Sequence, residues 1–348
     1  MTASLDEYPQ LVVELSGRST PVKITEAAIL VCLIILAFVG NVLVCIAVFK
    51  SACLRTIPNM FITNLAVSDI LMAIVCMPIS LHVLISGKWP FSSSVCDMHG
   101  FFMFTFGIVS QVNVSVIAVN RYFALCRPFE CKAIFTKINV LFMIAILWIL
   151  PSVASVPPLV GWGYYAFHPG KAFCIYPFHV NLIYTTIVQL LFIAFPMGLI
   201  VFSYTRCILA IKSSNRQMRE MSDDPSSVGQ ESRKAREVRA TWTMLFSTLG
   251  FSMCWLPVSV IGSIETFGAG ENLPRQVFIL YSFLMFLSST INPFIYCLSN
   301  RDFRKAFREV IPFGIKRNEI MKGDGCHTAP KAPLFNHWTN KHANKRAA

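Results

Sequence analysis

Seven separate apolar runs, each near or above the roughly 20 helical residues needed to cross a hydrocarbon core about 30 Å thick, leave this chain few folds to choose from. They cover Ala27–Val48, Ile57–Ile85, Phe101–Val119, Ile138–Val160, Leu182–Ile211, Thr241–Ser263 and Val277–Leu298, with short polar or basic stretches between them. Lipid satisfies no backbone donor or acceptor, so such segments must be helices that close their hydrogen bonds internally. The expected class is therefore all-α, a seven-transmembrane helix bundle. A composition of 55% hydrophobic and 14% charged residues is too apolar for a soluble domain. The first run follows about 25 polar residues, has no small-residue cleavage site after it and leads into a basic loop. It reads as the first span, and a removable signal peptide is not expected.

The basic residues orient the bundle. The first, third and fifth loops together with the C-terminal tail hold 25 of the 30 Lys and Arg residues. Cytoplasmic segments retain such residues, which puts the N-terminus outside and the C-terminus inside a plasma membrane. The net charge of +12 then describes an inner face beside anionic lipid. Nucleic acid is not an expected partner, because the basic residues are divided among loops between spans. The expected organisation is an outer tail over 1–24, a transmembrane domain over 25–299, a short helix over 300–311 and a cytoplasmic tail over 312–348. Ser213–Gln230, poor in apolar residues, reads as a flexible inner loop. Arg301–Val310 spaces Phe303, Ala306, Phe307 and Val310 at helical intervals among Arg304, Lys305 and Arg308, the pattern of an amphipathic helix on the inner leaflet. Asn113-Val114-Ser115, the only glycosylation sequon, lies within the third run, where it could not be glycosylated.

Most of the twelve cysteines fall inside spans. Cys96, just before the third span, and Cys174, in the loop before the fifth, fall on the oxidising outer face, and a disulfide between them is expected. Asp69 lies deep in the second span, where an ionisable group must face the bundle interior and find partners. Asn41, Ser110, Ser288, Ser289 and Asn292 are polar candidates in other spans. With Asp69 they would make an oxygen-rich site for a sodium ion, or a hydrogen-bonded cluster without one. Pro78, Pro151, Pro196, Pro257 and Pro293 each interrupt a span and are candidate kinks.

Taken in order, residues 26 to 311 resemble the rhodopsin-like G-protein-coupled receptors. The resemblance rests on Gly40-Asn41-Val42, Leu65-Ala66-Val67-Ser68-Asp69, Cys96, Asn120-Arg121-Tyr122, Trp148, Pro196, Tyr204, Phe251, Cys254-Trp255-Leu256-Pro257, Asn292-Pro293-Phe294-Ile295-Tyr296 and Phe303. It implies a receptor that passes binding of an extracellular ligand to a heterotrimeric G protein. Arg121 would be the switch arginine, Tyr204 and Tyr296 would reposition on activation, and Trp255 with Phe251 would relay changes from the pocket. Asn120 stands where the family usually has an acid, so Glu237 is the remaining carboxylate to pair with Arg121, or is a solvated loop charge. Phe129, after Pro128, would enter a hydrophobic pocket on the G protein. Serines and threonines in the inner loop and tail are phosphorylation candidates with arrestin as the following partner, and Cys326 is a candidate for palmitoylation.

Alignment with the family places Phe102, Met103, Phe104, Gly107, Val188, Gln189, Phe192, Trp255, Val258, Ser259, Ser282 and Phe286 around the ligand. Amine receptors are similar to one another in an aspartate where this chain has Met103, and burying an ammonium without a counter-charge costs several kcal/mol. The expected ligand is therefore uncharged, its identity unknown. Visual pigments carry a retinal-binding lysine where this chain has Phe286, and Val277–Leu298 contains no lysine, so no retinal cofactor is expected. Pro157-Pro158-Leu159-Val160-Gly161-Trp162-Gly163-Tyr164 resembles opsins and melatonin receptors, and Asn120-Arg121-Tyr122 resembles melatonin receptors, which usually have alanine at Pro293. A small-ion or solute transporter or channel is the alternative that composition leaves open. No internal repeat and no ladder of intramembrane charges supports it. An enzyme is not expected, since neither HExxH nor GxSxG occurs.

Overall fold

The computed structural model describes residues 8–220, 228–267 and 273–310, with the side chains of 214–237 outside that description. Among the described residues seven helices are long and apolar enough to span a membrane: Thr20–Lys50, Ile57–Ser86, Ser93–Cys126, Lys137–Val160, Leu182–Ser213, Val238–Thr266 and Arg275–Ser299. The all-α seven-span class expected from the apolar runs is the observed one.

Each span outruns its apolar run at one end or both, and in the first span the polar residues at the end find partners. The first span starts at Thr20 and carries Glu26 into the bundle, where Arg275 donates to both carboxylate oxygens at 2.8 and 2.7 Å and Arg18 also donates. Arg18 further donates to the carbonyls of Leu15 and Leu84. Burial lowers the Arg18 guanidinium from its ordinary range, and the hydrogen bond to Glu26 opposes that. Residues 1–24, read from sequence as a tail, include a helix over Pro9–Ser16 that buries Leu11 and Leu15. The expected loop Ser213–Gln230 is also partly helical: helix continues to Glu220 and resumes at Val228. Arg216, Gln217, Met218, Arg219 and Glu220 are good helix formers, and their polarity hid a helical segment that leaves the apolar run.

Proline shapes two spans through widened turns. The second span bonds Met77 N–H back five residues to Met72 O, just before Pro78. The fifth does the same from Phe195 to Leu190 O, just before Pro196. An extra residue in the turn relieves the clash and the lost donor that a proline brings. Pro151, Pro257 and Pro293 lie inside regular helix. A Cβ at Gly40 would stand 2.9 Å from the Pro293 ring, so glycine permits this contact between the first and seventh spans.

One end of the bundle is covered by an antiparallel hairpin, β1 (Ala166–His168) and β2 (Phe173–Ile175), with Phe167 opposite Cys174. The expected disulfide is present: Cys174 bonds Cys96 at the start of the third span, with Cα atoms 5.4 Å apart. At the opposite end Arg301–Val310 forms a helix that buries Phe303, Ala306 and Phe307 against the bundle. The two larger buried clusters lie at the hairpin end and at this opposite end, with Trp255 packed against both, and a smaller third one joins Ile108, Tyr165, Tyr176, Tyr184 and Val188.

Candidate functional site

A cavity of about 330 Å³ lies under the hairpin, between the third, fifth, sixth and seventh spans. That volume suits a small organic molecule. Met103, Phe104 and Gly107 enter it from the third span, Val188, Gln189 and Phe192 from the fifth, and Trp255, Val258 and Ser259 from the sixth, as the sequence suggested. A Cβ on Gly107 would come within 3.3 Å of the Trp255 ring, so glycine there keeps the floor open.

Three sequence candidates lie off this wall. Phe102 stacks on Phe106, ring centres 5.5 Å apart. Ser282 is committed to the carbonyls of Lys171 and Phe278 at 2.8 and 3.1 Å. Phe286 is buried beside Phe173, ring centres 6.2 Å apart. Other wall residues went unread: Ile108 and Gln111 from the third span, Thr186 from the fifth, Tyr281 and Met285 from the seventh, and Ile175 and Phe178 from the hairpin loop. Gln111 follows Met103 and Gly107 at four-residue steps and was legible from helical spacing. The loop residues were not, because the disulfide and the hairpin register place them. Thr186, Leu190, Ala194 and Ser263 also reach the outer surface of the bundle, so the cavity meets the lipid-facing side between the fifth and sixth spans.

The hairpin is held over the cavity by a buried ion pair. Lys171 donates to Glu265 Oε2 at 2.7 Å, and its ammonium sits 4.4 Å from the centre of the Tyr281 ring. His168 Nε2 lies 3.1 Å from Glu265 Oε1, and the imidazole packs between Tyr8 and Phe278 at 4.7 and 4.6 Å. Burial lowers the Lys171 ammonium from its ordinary range, with Glu265 opposing. Burial, then the neighbouring Lys171 charge, likewise depresses the His168 imidazole. The cavity wall itself, among the described residues, carries no charged side chain.

Below the cavity Trp255 stacks on Phe251 at 5.7 Å and donates to Ser288 Oγ at 3.1 Å. The polar layer follows. Asn292 donates to Asp69 Oδ2 at 3.1 Å, and Ser110 and Ser289 face the same carboxyl group. Asn41 donates to Ser289 O at 2.9 Å. Asp69 Oδ1 is buried with no hydrogen-bond partner. Among the described residues no group of three or more His, Cys, Asp or Glu is placed to hold a metal, so a cation here would rest on one carboxylate and neutral oxygens.

From this layer Ser247 donates to Asn292 Oδ1 at 2.9 Å, and the Tyr296 hydroxyl lies 3.4 Å from the same Ser247 oxygen. The hydroxyls of Tyr204 and Thr248 are 3.1 Å apart. Arg121, 3% exposed, donates to Asn120 Oδ1 at 2.6 Å. Asparagine thus gives Arg121 a neutral acceptor where a carboxylate would neutralise it. The Glu237 side chain and Cys326 lie outside the described residues. Tyr122 stacks edgewise on Phe123, ring centres 5.3 Å apart. Phe129 lies in the first turn of a short helix, Pro128–Ile134, and is 88% exposed.

The 7 transmembrane receptor (rhodopsin family) profile matches residues 40–296. The melatonin receptor type 1A of Ovis aries is 30% identical over 290 residues, covering 82% of this chain and 77% of that one. The high-affinity lysophosphatidic acid receptor of Xenopus laevis is 26% identical over 329 residues, covering 88% and 87%. Squid rhodopsin shares the fold, with a TM-score of 0.77 at 23% identity over 85% of this chain and 87% of that one.

Proposed function

Because the chain belongs to the rhodopsin family of seven-transmembrane receptors, and so is a multi-pass plasma-membrane G-protein-coupled receptor, we propose that it is switched by an uncharged ligand in the cavity beneath the hairpin. The observation that carries this is the wall: about 330 Å³ bounded by apolar and neutral side chains, with Trp255 as part of the floor. A bound cation would find no carboxylate there, and unpaired burial of its charge is strongly unfavourable.

The hairpin end faces outward in this reading. Its disulfide belongs on the oxidising side, and 25 of the 30 basic residues belong to segments at the other face. The bilayer surrounds the spans. The ligand acts on Trp255, and the Trp255–Ser288 bond carries the change to the layer of Asp69 and Asn292. That layer takes a sodium ion in the resting state, and Ser247, Tyr296 and Tyr204 pass its rearrangement to Arg121. Outward movement of the sixth span then opens a G-protein site in which Phe129 docks. Glu237 steadies the resting state by pairing with Arg121, and arrestin follows phosphorylation of the tail. The relative named for melatonin, an uncharged molecule, gives a ligand chemistry to try first, whereas lysophosphatidic acid, for which another relative is named, carries a phosphate that this wall offers no cation to meet. Phe286 at the retinal-lysine position supports a non-covalent ligand.

The test is basal and ligand-stimulated activation of a panel of G proteins by the full chain and by Arg121→Ala at equal surface expression. The proposal expects a signal that Arg121→Ala abolishes. A signal surviving that substitution would sink the route through Arg121. Glu237→Ala is expected to raise basal signalling.

A further inference from the structure

The cavity wall includes a buried carboxamide that the fold does not use. Gln111 is 2% exposed and lies on the cavity wall, and neither its Oε1 nor its Nε2 has a hydrogen-bond partner. Buried carboxamides elsewhere in these spans are engaged. Asn113 donates to Phe61 O at 2.9 Å and accepts from Asn64 at 3.0 Å, while Asn64 accepts from Trp148 at 2.8 Å. Among the described residues Gln111 is the one buried carboxamide with both ends unpartnered. Two other polar wall groups are committed: Ser263 donates to Ser259 O at 2.8 Å, and Gln189 reaches Thr266 Oγ1 at 3.5 Å.

A buried amide without partners is unfavourable, and leucine would fill a similar volume without that cost. Packing therefore gives no reason for glutamine here, whereas recognition does. We propose that Gln111 is the specificity-determining polar group of this receptor cavity, recognising a ligand with a hydrogen-bond acceptor and donor side by side on an apolar body. The inference rests on the reading of the cavity as the ligand site. Nε2 donates to the ligand's carbonyl oxygen while Oε1 accepts from its N–H. Both bonds form together only when C=O and N–H point the same way. That is the geometry of a lactam, a cyclic imide or a primary carboxamide; an open-chain trans amide points them apart.

The probes are 3,4-dihydroisoquinolin-1(2H)-one, a lactam, and its lactone isostere 3,4-dihydroisocoumarin, which has the carbonyl but no N–H. Binding to the purified full-length chain in detergent is read by saturation-transfer NMR, and the melting temperature of the ligand-free protein is recorded beside it. In the wild type the lactam should bind about tenfold or more tighter than the lactone. In Gln111→Leu the two affinities should converge while lactone binding persists. The ligand-free melting temperature of Gln111→Leu should rise, because an unpaired buried amide has been removed. Gln111→Met serves the same comparison if the leucine variant does not fold. Equal affinities in the wild type, binding of neither probe, or a lowered melting temperature of the ligand-free variant would overturn the proposal. Neither readout involves a G protein. Loss of lactam selectivity with Arg121-dependent signalling intact removes Gln111 alone, whereas selectivity retained with Arg121-independent signalling removes the receptor route alone.

Discussion

Lys171 and Glu265 show how much one residue's surroundings decide. Each charge is buried under the hairpin and satisfied by the other, 2.7 Å away. Removing one partner strands the other in a low-dielectric site, a loss of about 3–5 kcal/mol for buried pairs. Glu265→Leu should therefore lower the melting temperature sharply, while Lys171→Met combined with Glu265→Leu should recover most of it. Thermal unfolding of the four members of the cycle checks this, and a double variant whose loss equals the sum of the two single losses would show that the pair is not coupled. His168 adds a pH dependence. Burial and Lys171 depress its proton affinity below the usual value of 6.5. The folded state then binds fewer protons than the unfolded state, so this contribution is complete above about pH 6.5 and is lost as pH falls toward the depressed value. Stability should decline between pH 7 and 5, and His168→Phe should flatten that slope. A slope unchanged in the variant would assign the decline to other groups.

At the scale of elements, apolar runs located the seven spans, because only lipid-facing helices need such composition. The ends were illegible for the same reason. Glu26 counts as polar in any window, yet two arginines brought by other segments let it extend a buried helix. The hairpin was equally hidden, since three-residue strands carry little pattern and Cys96 fixes their place from outside the loop. Arg301–Val310 was legible because Phe303, Ala306 and Phe307 recur at helical spacing. Its attachment depends on Phe303, which is fully buried and stacks on Tyr296 at 5.4 Å. Phe303→Ala should cost about 3–5 kcal/mol, as large-to-small core changes do. It should also raise amide hydrogen exchange across this helix well before the spans exchange. Unchanged protection would mean that Ala306 and Phe307 suffice to dock it.

Across the described bundle, the two larger apolar clusters are joined by a polar layer at mid-bundle, and the layer is where the ends can influence each other. Apolar contacts are non-directional, whereas the Asp69 carboxylate is directional in its demands, with one oxygen paired with Asn292 and another without a partner. Two arrangements satisfy that second oxygen: a cation drawn in among Ser110, Ser289 and Asn292, or a helix shift that brings a new donor. Sodium is thus expected to favour the resting arrangement and to stabilise the ligand-free protein. At a concentration about 100 times its Kd, an ion bound only to the folded state contributes about 2.7 kcal/mol. Exchanging N-methylglucamine chloride for sodium chloride at constant ionic strength should raise the melting temperature of the wild type and leave that of Asp69→Asn unmoved. A wild type indifferent to sodium would make the layer a hydrogen-bond cluster without an ion. If sodium stabilised Asp69→Asn equally, it would bind elsewhere, and Asp69 would act between the two ends through Asn292 alone.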